Sequence, residues 1–339
     1  MSRSTIHAER SAAVRSEAAV PVESSDRGRT ADSPRQVPAR GWKDVLVRVK
    51  EESKKDHVML LSAGVAFFGL LALVPALVAL LSIYGLVADP DRIDDQLVDA
   101  LSAAPAEVRD LISQQVRDIG DASSGALIAV IGGILLALWS ASSGMKNLIE
   151  AINQAYDEDE SRGFIKVRGL SLAFTIGALL FLIVAFTAIA LLPSLMASSS
   201  LGSAGRILAS VARFVLLFFG LLAGLAVLYR YAPDREAAKW SWVSPGAIFA
   251  SVLWIVGSLL FSIYAANFGT YNETYGALGA VVVVMLWLLL TALAIILGAE
   301  LNSELERQTA RDTTAGDERP LGQRGAYAAD TIGPSTDAD

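Results

Sequence analysis

Six apolar stretches, at 58–88, 125–145, 169–192, 207–229, 243–264 and 276–299, fill the middle of this 339-residue chain. A helix rises about 1.5 Å per residue, so about 20 residues cross a hydrocarbon core about 30 Å thick. Inside lipid no backbone N–H or C=O can go unpaired, which leaves helices or a closed barrel. Barrel strands run about 10 residues and alternate apolar with polar. These stretches are far longer and do not alternate. The fold class they predict is all-α: a polytopic membrane protein of six transmembrane helices with interfacial amphipathic helices. A hydrophobic content of 53% and a mean hydropathy of +0.47 agree, because polar tails flank the apolar middle.

The charges of the connecting segments set an orientation. Arg40, Lys43, Arg48, Lys50, Lys54 and Lys55 precede the first stretch. Lys146, Arg162, Lys166 and Arg168 flank the second connection, and Arg230, Arg235 and Lys239 the fourth. Arg307, Arg311, Arg319 and Arg324 follow the last stretch. The connections between these are poor in Lys and Arg, or carry more acid than base. Basic segments stay in the cytoplasm, so both termini are expected there, in a bacterial inner membrane. The first 57 residues are polar, so no cleavable signal peptide is read and the first stretch is expected to remain as an anchor.

Three units follow. Residues 1–39 and 306–339 have scattered charges and no hydrophobic period, so they are expected to be disordered cytoplasmic tails. Residues 40–305 form the membrane domain. Within it, 41–56 places Trp42, Val45, Leu46 and Val49 on one helical face with bases elsewhere. That is the pattern of a helix lying in the interface against anionic headgroups. Residues 91–119 repeat it, with Pro105 dividing two short helices. A cap over the outer mouth of a bundle and a hairpin shielding apolar surface are both open there.

Chemistry is narrowed by what the chain lacks. It has no cysteine, and His7 and His57 stand alone, so neither a disulfide nor a His- or thiolate-based metal site is expected. No phosphate-binding loop of the G-x-x-x-x-G-K-[S/T] form occurs. No cofactor, no catalytic residue and no nucleic-acid partner are therefore expected. The expected partners are membrane lipids and further copies of the chain.

Nine residues are candidates for a permeation path or a gate. Pro75 lies mid-stretch, where it removes a backbone hydrogen bond and kinks a helix, either to line a cavity or simply to pack. Arg213 is the one ionisable residue well inside a stretch; it either faces a cavity and favours anions or snorkels to the interface. Asn267, Tyr271, Asn272, Glu273 and Tyr275 crowd the connection between the last two stretches. They suit either a re-entrant connection or an interfacial loop with an aromatic belt. Glu300 and Asn302 sit where the last stretch ends. A carboxylate at a helix C-terminus opposes the macrodipole and calls for a compensating partner, for which the bases of the fourth connection are candidates.

The runs AGVAFFGLLALVP (63–75), WSASSGMKNLIEAINQAY (139–156), YRYAPD (229–234), PGAIFA (245–250), NFGTYNETYGALGAVVVVMLW (267–287) and GAELN (298–302) together resemble the YihY/virulence factor BrkB family, once labelled ribonuclease BN. The resemblance covers about 40–305 and implies a six-span bacterial inner-membrane protein. It implies no catalytic residues, because the family has none agreed. A hydrolytic ribonuclease needs metal ligands or an acid/base pair beside an RNA-binding surface, and neither is readable in these residues. Three readings of function stand: a transporter or exporter of a small solute or amphiphile, a translocator of lipids or envelope precursors, and a non-transporting envelope or virulence-associated scaffold.

Overall fold

The computed structural model describes residues 25–87, 124–191, 202–266 and 277–336. Its elements are α1 (Ala39–Lys55), α2 (Val58–Val87), α3 (Ser124–Ala155), α4 (Phe164–Phe186), α5 (Ser203–Tyr231), α6 (Trp240–Ala266), α7 (Ala277–Glu306) and the single turn α8 (Tyr327–Asp330). Short 3-10 turns lie at Ser25–Arg27 and Pro34–Gln36, and a π-helical turn, Thr187–Leu191, extends α4. No strand occurs among the described residues; an isolated antiparallel bridge joins Ala238 to Thr314. The chain is an all-α polytopic membrane protein. Each of the six apolar stretches becomes one long helix, and over the described residues five of them (all but α3) are long and apolar enough to cross a membrane.

The long helices stop where the chain offers a turn. α2 is separated from α1 by Asp56 and His57, the latter at φ 51°. α3 ends at Tyr156–Asp157, with Asp157 at φ 54°. Asp and His are among the few residues that tolerate this left-handed region. α5 ends before Pro233, which cannot continue a helix. α2 runs unbroken through Pro75, which is half-buried, so the break that would open a cavity there is not seen.

Side by side, the long helices run α5, α6, α7, α2, α3, α4. Of the successive long helices, α4 and α5 touch least. Small residues set the tight joints, as expected in lipid where helix association depends on close packing. At Gly144 of α3, for example, an added methyl would stand 3.1 Å from the Ala72 methyl of α2. Outward faces are bare and apolar: Leu60, Leu136, Ile165, Leu208 and Leu216 are all strongly exposed. Such a belt suits lipid rather than water.

The starts of α2, α4 and α6 and the ends of α3, α5 and α7 all gather at one end, and segments 25–39 and 307–336 lie there too. Asn153 accepts from the Asp234 amide at 2.8 Å, and Arg235 meets Glu306 at 2.7 Å. The main apolar core sits just inside this end, built on Ile149, Ile152, Tyr229, Val243, Ala247 and Ile296. α1 packs onto the bundle. Its apolar face packs Val45, Trp42 and Val49 onto Trp242, Leu301 and Leu305, leaving Leu46 exposed.

The expectation of disordered tails is corrected over 25–39 and 306–336. These segments fold onto each other as a cap. Arg29 donates to the Gly333 carbonyl at 2.7 Å, and the Ala310 amide to the Arg29 carbonyl at 2.8 Å. Arg324 donates to the carbonyls of Ala329 at 2.6 Å, Ala310 at 2.7 Å, Arg311 at 3.1 Å and Arg319 at 3.1 Å. Lys239 and Ala315 amides bond across the Ala238–Thr314 bridge, tying the cap to the α5–α6 turn. Guanidinium groups saturating backbone carbonyls hold this region, so no hydrophobic period announces it.

Candidate functional site

The turns at the terminal end place a set of polar side chains inside the protein. Glu300 on α7 is 1% exposed, and its Oε1 has no hydrogen-bond partner. The Asp56 carboxyl, from the α1–α2 turn, lies within hydrogen-bond reach of Glu300 and accepts from Gln154 Nε2 at 3.3 Å. Glu52, Asp157 and Glu304 are the further acids around Glu300. Burial pushes the Asp56 and Asp157 carboxyls above the usual carboxylate range.

The bases expected to neutralise Glu300 go elsewhere, and that expectation is corrected. Arg235 forms a bidentate pair with Glu306, at 2.7 and 3.0 Å, with its guanidinium 5.0 Å from the Tyr156 ring centre. Burial works against the Arg235 charge, but Glu306 outweighs it and holds the guanidinium above its usual range. Arg230 donates to the Ala238 carbonyl and covers the Trp240 ring at 4.6 Å. Arg307 pairs with Glu304 at 2.5 Å and Glu52 at 3.6 Å. Arg48 also reaches Glu304, and donates to Gln308 Oε1 at 2.9 Å.

Asn302 is fully buried and clamps α7 to α6. Its Oδ1 accepts from the Gly246 amide at 2.7 Å, and its Nδ2 donates to the Val243 carbonyl at 3.1 Å. Tyr229 donates to the Ile295 carbonyl at 2.8 Å, while the fully buried Tyr156 hydroxyl has no hydrogen-bond partner. Lys146 and Glu150 are exposed on α3 and take no part.

Arg213 lies apart from this cluster, at the sparse joint between α4 and α5. Its Nη1 is 3.3 Å from the Ala188 carbonyl in the π-helical turn, and its Nε is buried without a partner. The guanidinium also sits 4.6 Å from the Phe214 ring centre. Asn267, Tyr271, Asn272, Glu273 and Tyr275 lie outside the described residues, as do 91–119. Pro75, Arg213 and the Glu300–Asn302 pair therefore occupy separate places in the bundle. Sequence reasoning missed Asp56, Tyr156, Asp157 and Glu306, and gave Arg235 to Glu300 instead of Glu306. The runs at 139–156, 229–234, 245–250 and 298–302 did carry a signal, because all four end at this cluster.

The sequence matches the family profile described as "Virulence factor BrkB" over residues 49–321. The chain belongs to the BrkB family. Among its relatives, the ribonuclease-like protein YfkH of Bacillus subtilis (strain 168) is 35% identical over 255 residues, 73% of this chain and 90% of that protein. A UPF0761 membrane protein of Verminephrobacter eiseniae (strain EF01-2) is 27% identical over 289 residues, 81% of this chain and 66% of that protein. The UPF0761 protein XCC0860 of Xanthomonas campestris pv. campestris is 23% identical over 268 residues, which span 58% of its length. No solved structure matches. The BrkB family is a family of membrane proteins and not a known enzyme class. The ribonuclease-like wording is a relative's name alone. Among the described BrkB residues, no three His, Cys, Asp or Glu side chains are grouped to hold a metal ion.

Proposed function

We propose that this BrkB-family protein is a transporter of small solutes or amphiphiles in the bacterial inner membrane, with both termini in the cytoplasm. The orientation draws on the basic residues gathered where the helix starts, helix ends and termini meet. The observation that carries transport is Arg213. A guanidinium within a membrane helix is costly and is kept where it meets a cavity or a ligand. Here it lies at the loosest joint of the bundle with a buried Nε–H unspent. Its unpartnered Nε–H favours an anionic group, and a sparse joint between two membrane helices would suit an amphiphile over a freely dissolved ion. Lipid or envelope-precursor translocation is the form of the reading that this joint supports.

The test is reconstitution of the full chain into vesicles carrying a fluorescent phosphatidylglycerol, with a small organic anion trapped in parallel samples. Transbilayer movement of the lipid probe above empty vesicles, lost in Arg213→Gln at equal protein content, is expected. Movement of the trapped anion alone would assign a soluble solute. Equal rates in empty and protein-loaded vesicles for both probes would leave the scaffold reading in its place.

A further inference from the structure

Two carboxylates cannot hydrogen-bond to each other, because an ionised carboxylate only accepts. Asp56 and Glu300 nevertheless lie within hydrogen-bond reach, and Glu300 Oε1 is shut away from water with no donor. One proton satisfies both facts. We propose that Asp56 and Glu300 form a proton-binding site, in which a single proton is shared between the α1–α2 turn and α7.

The surroundings favour a proton over a second negative charge. The groups facing the pair are Glu52 and Lys55 from α1, Gln154, Tyr156 and Asp157 from the end of α3 and beyond it, and Glu304 on α7, with Arg307 next to Asp157. Lys55 is engaged by Glu52 at 2.7 Å, and Arg307 by Glu304 and Glu52. Arg48 is engaged by Glu304 as well. Neither Asp56 nor Glu300 forms an ion pair among the described residues. Like charges this close in a low-dielectric interior do not both ionise. Burial, with Glu52 adding to it, already holds Asp56 above the usual carboxylate range.

Tyr156 is a further buried polar group near Glu300. Its hydroxyl is fully buried, unpartnered and close enough to Glu300 to feel its charge. Burial lifts the phenol well above its ordinary range, so it remains a neutral O–H and cannot supply the proton. The proton must come from water, through Asp56, which retains 9% exposure beside the exposed His57. A metal ion fits less well, since no three acidic or His side chains are grouped for one among the described residues. With the proton bound, the α1–α2 turn is fastened to α7; once it leaves, the two carboxylates repel. The site requires nothing of Arg213 or of what the protein carries.

Infrared titration of the full chain in lipid nanodiscs, together with carbodiimide labelling, tests this. A protonated-carboxyl C=O band is expected to persist above the ordinary carboxylate range. It should be lost in Glu300→Gln and in Asp56→Asn but retained in Asp157→Asn. Dicyclohexylcarbodiimide should modify Glu300 or Asp56 of the unaltered protein in mild acid, with labelling lost as pH rises. This second readout stands even if a variant fails to fold. No persistent band and no labelling at any pH would overturn the site. So would a band lost only in Asp157→Asn, or labelling suppressed by sodium at fixed pH.

Discussion

Gly246 of α6 and Gly298 of α7 meet backbone to backbone: a methyl group at 246 would stand 2.1 Å from the Gly298 carbonyl oxygen. A methyl at 298 would meet the Tyr229 hydroxyl oxygen at 2.3 Å and the Gly246 carbonyl oxygen at 2.8 Å. These two glycines let α6 and α7 approach closely enough for Asn302 to clamp them. The crossing thus joins close packing to a buried polar bridge.

Alanine at either glycine is therefore expected to lower the thermal midpoint in detergent. The obstructing atoms include backbone, which no rotamer change can move aside. Overpacking costs about 1–3 kcal/mol in ordinary cores, and Gly246→Ala should lie at or above the top of that range. Gly64→Ala and Gly177→Ala, whose new methyls meet nothing within 4 Å, are the controls and should change little. Equal midpoints across all these variants would contradict the crossing.

The cap should loosen when its buried charges are unpaired. Arg48 bonds Glu304, Gln308 and the Pro334 carbonyl from a position 4% exposed. Removing one partner of a buried pair costs about 3–5 kcal/mol in general, and Arg307 remains on Glu304 to reduce that here. Arg48→Met is expected to speed trypsin cleavage at Arg311 and Arg324 several-fold while the membrane helices stay intact. Unchanged cleavage would mean that the clasp does not hold the cap.

Acid should release the same region. Burial opposes ionisation of Asp44, but hydrogen bonds from Thr336 and Arg27 outweigh it and hold the carboxyl below its usual value of 3.8. A depressed carboxyl contributes stability above its unfolded value and loses it as pH falls through the folded one. Asp312, bonded by Thr314 and Arg319, is shifted in the same direction. Amide protection over 307–336, taken relative to the intrinsic exchange rate at each pH, should thus be constant near neutrality and fall below the ordinary carboxylate range. Asp44→Asn should flatten part of that dependence. Asp56 and Asp157 carry the opposite sign: their raised values mean that stability falls as pH climbs through them.

The helices were readable because apolar length is a one-dimensional property. The meeting of helix ends at one pole was readable from the alternation of bases. Glu300 and Asn302 stood out by position, but their partners did not. Asp56 lies far from Glu300 along the chain and is brought to it by the fold, beside the left-handed turn at His57. Arg235 looked like a partner for Glu300 and instead meets Glu306, closer to the end of the same helix. The cap was invisible for another reason. Arg29, Arg48 and Arg324 bury themselves on carbonyl oxygens supplied by distant segments, and a string of letters shows arginines there that look solvated. The apolar face of α1 was visible, but not that Trp242 and Leu305 would cover it.

Because Arg29 and Ala31 are bonded by Gly333 and Thr309, which follow every described membrane helix in the chain, the closure cannot assemble until those helices have been made. All the described membrane helices must already have been made by the time residues 309–333 leave the ribosome. Until then the guanidinium groups of Arg29 and Arg48 wait in water, and a chain that stops early leaves the pole of the bundle open.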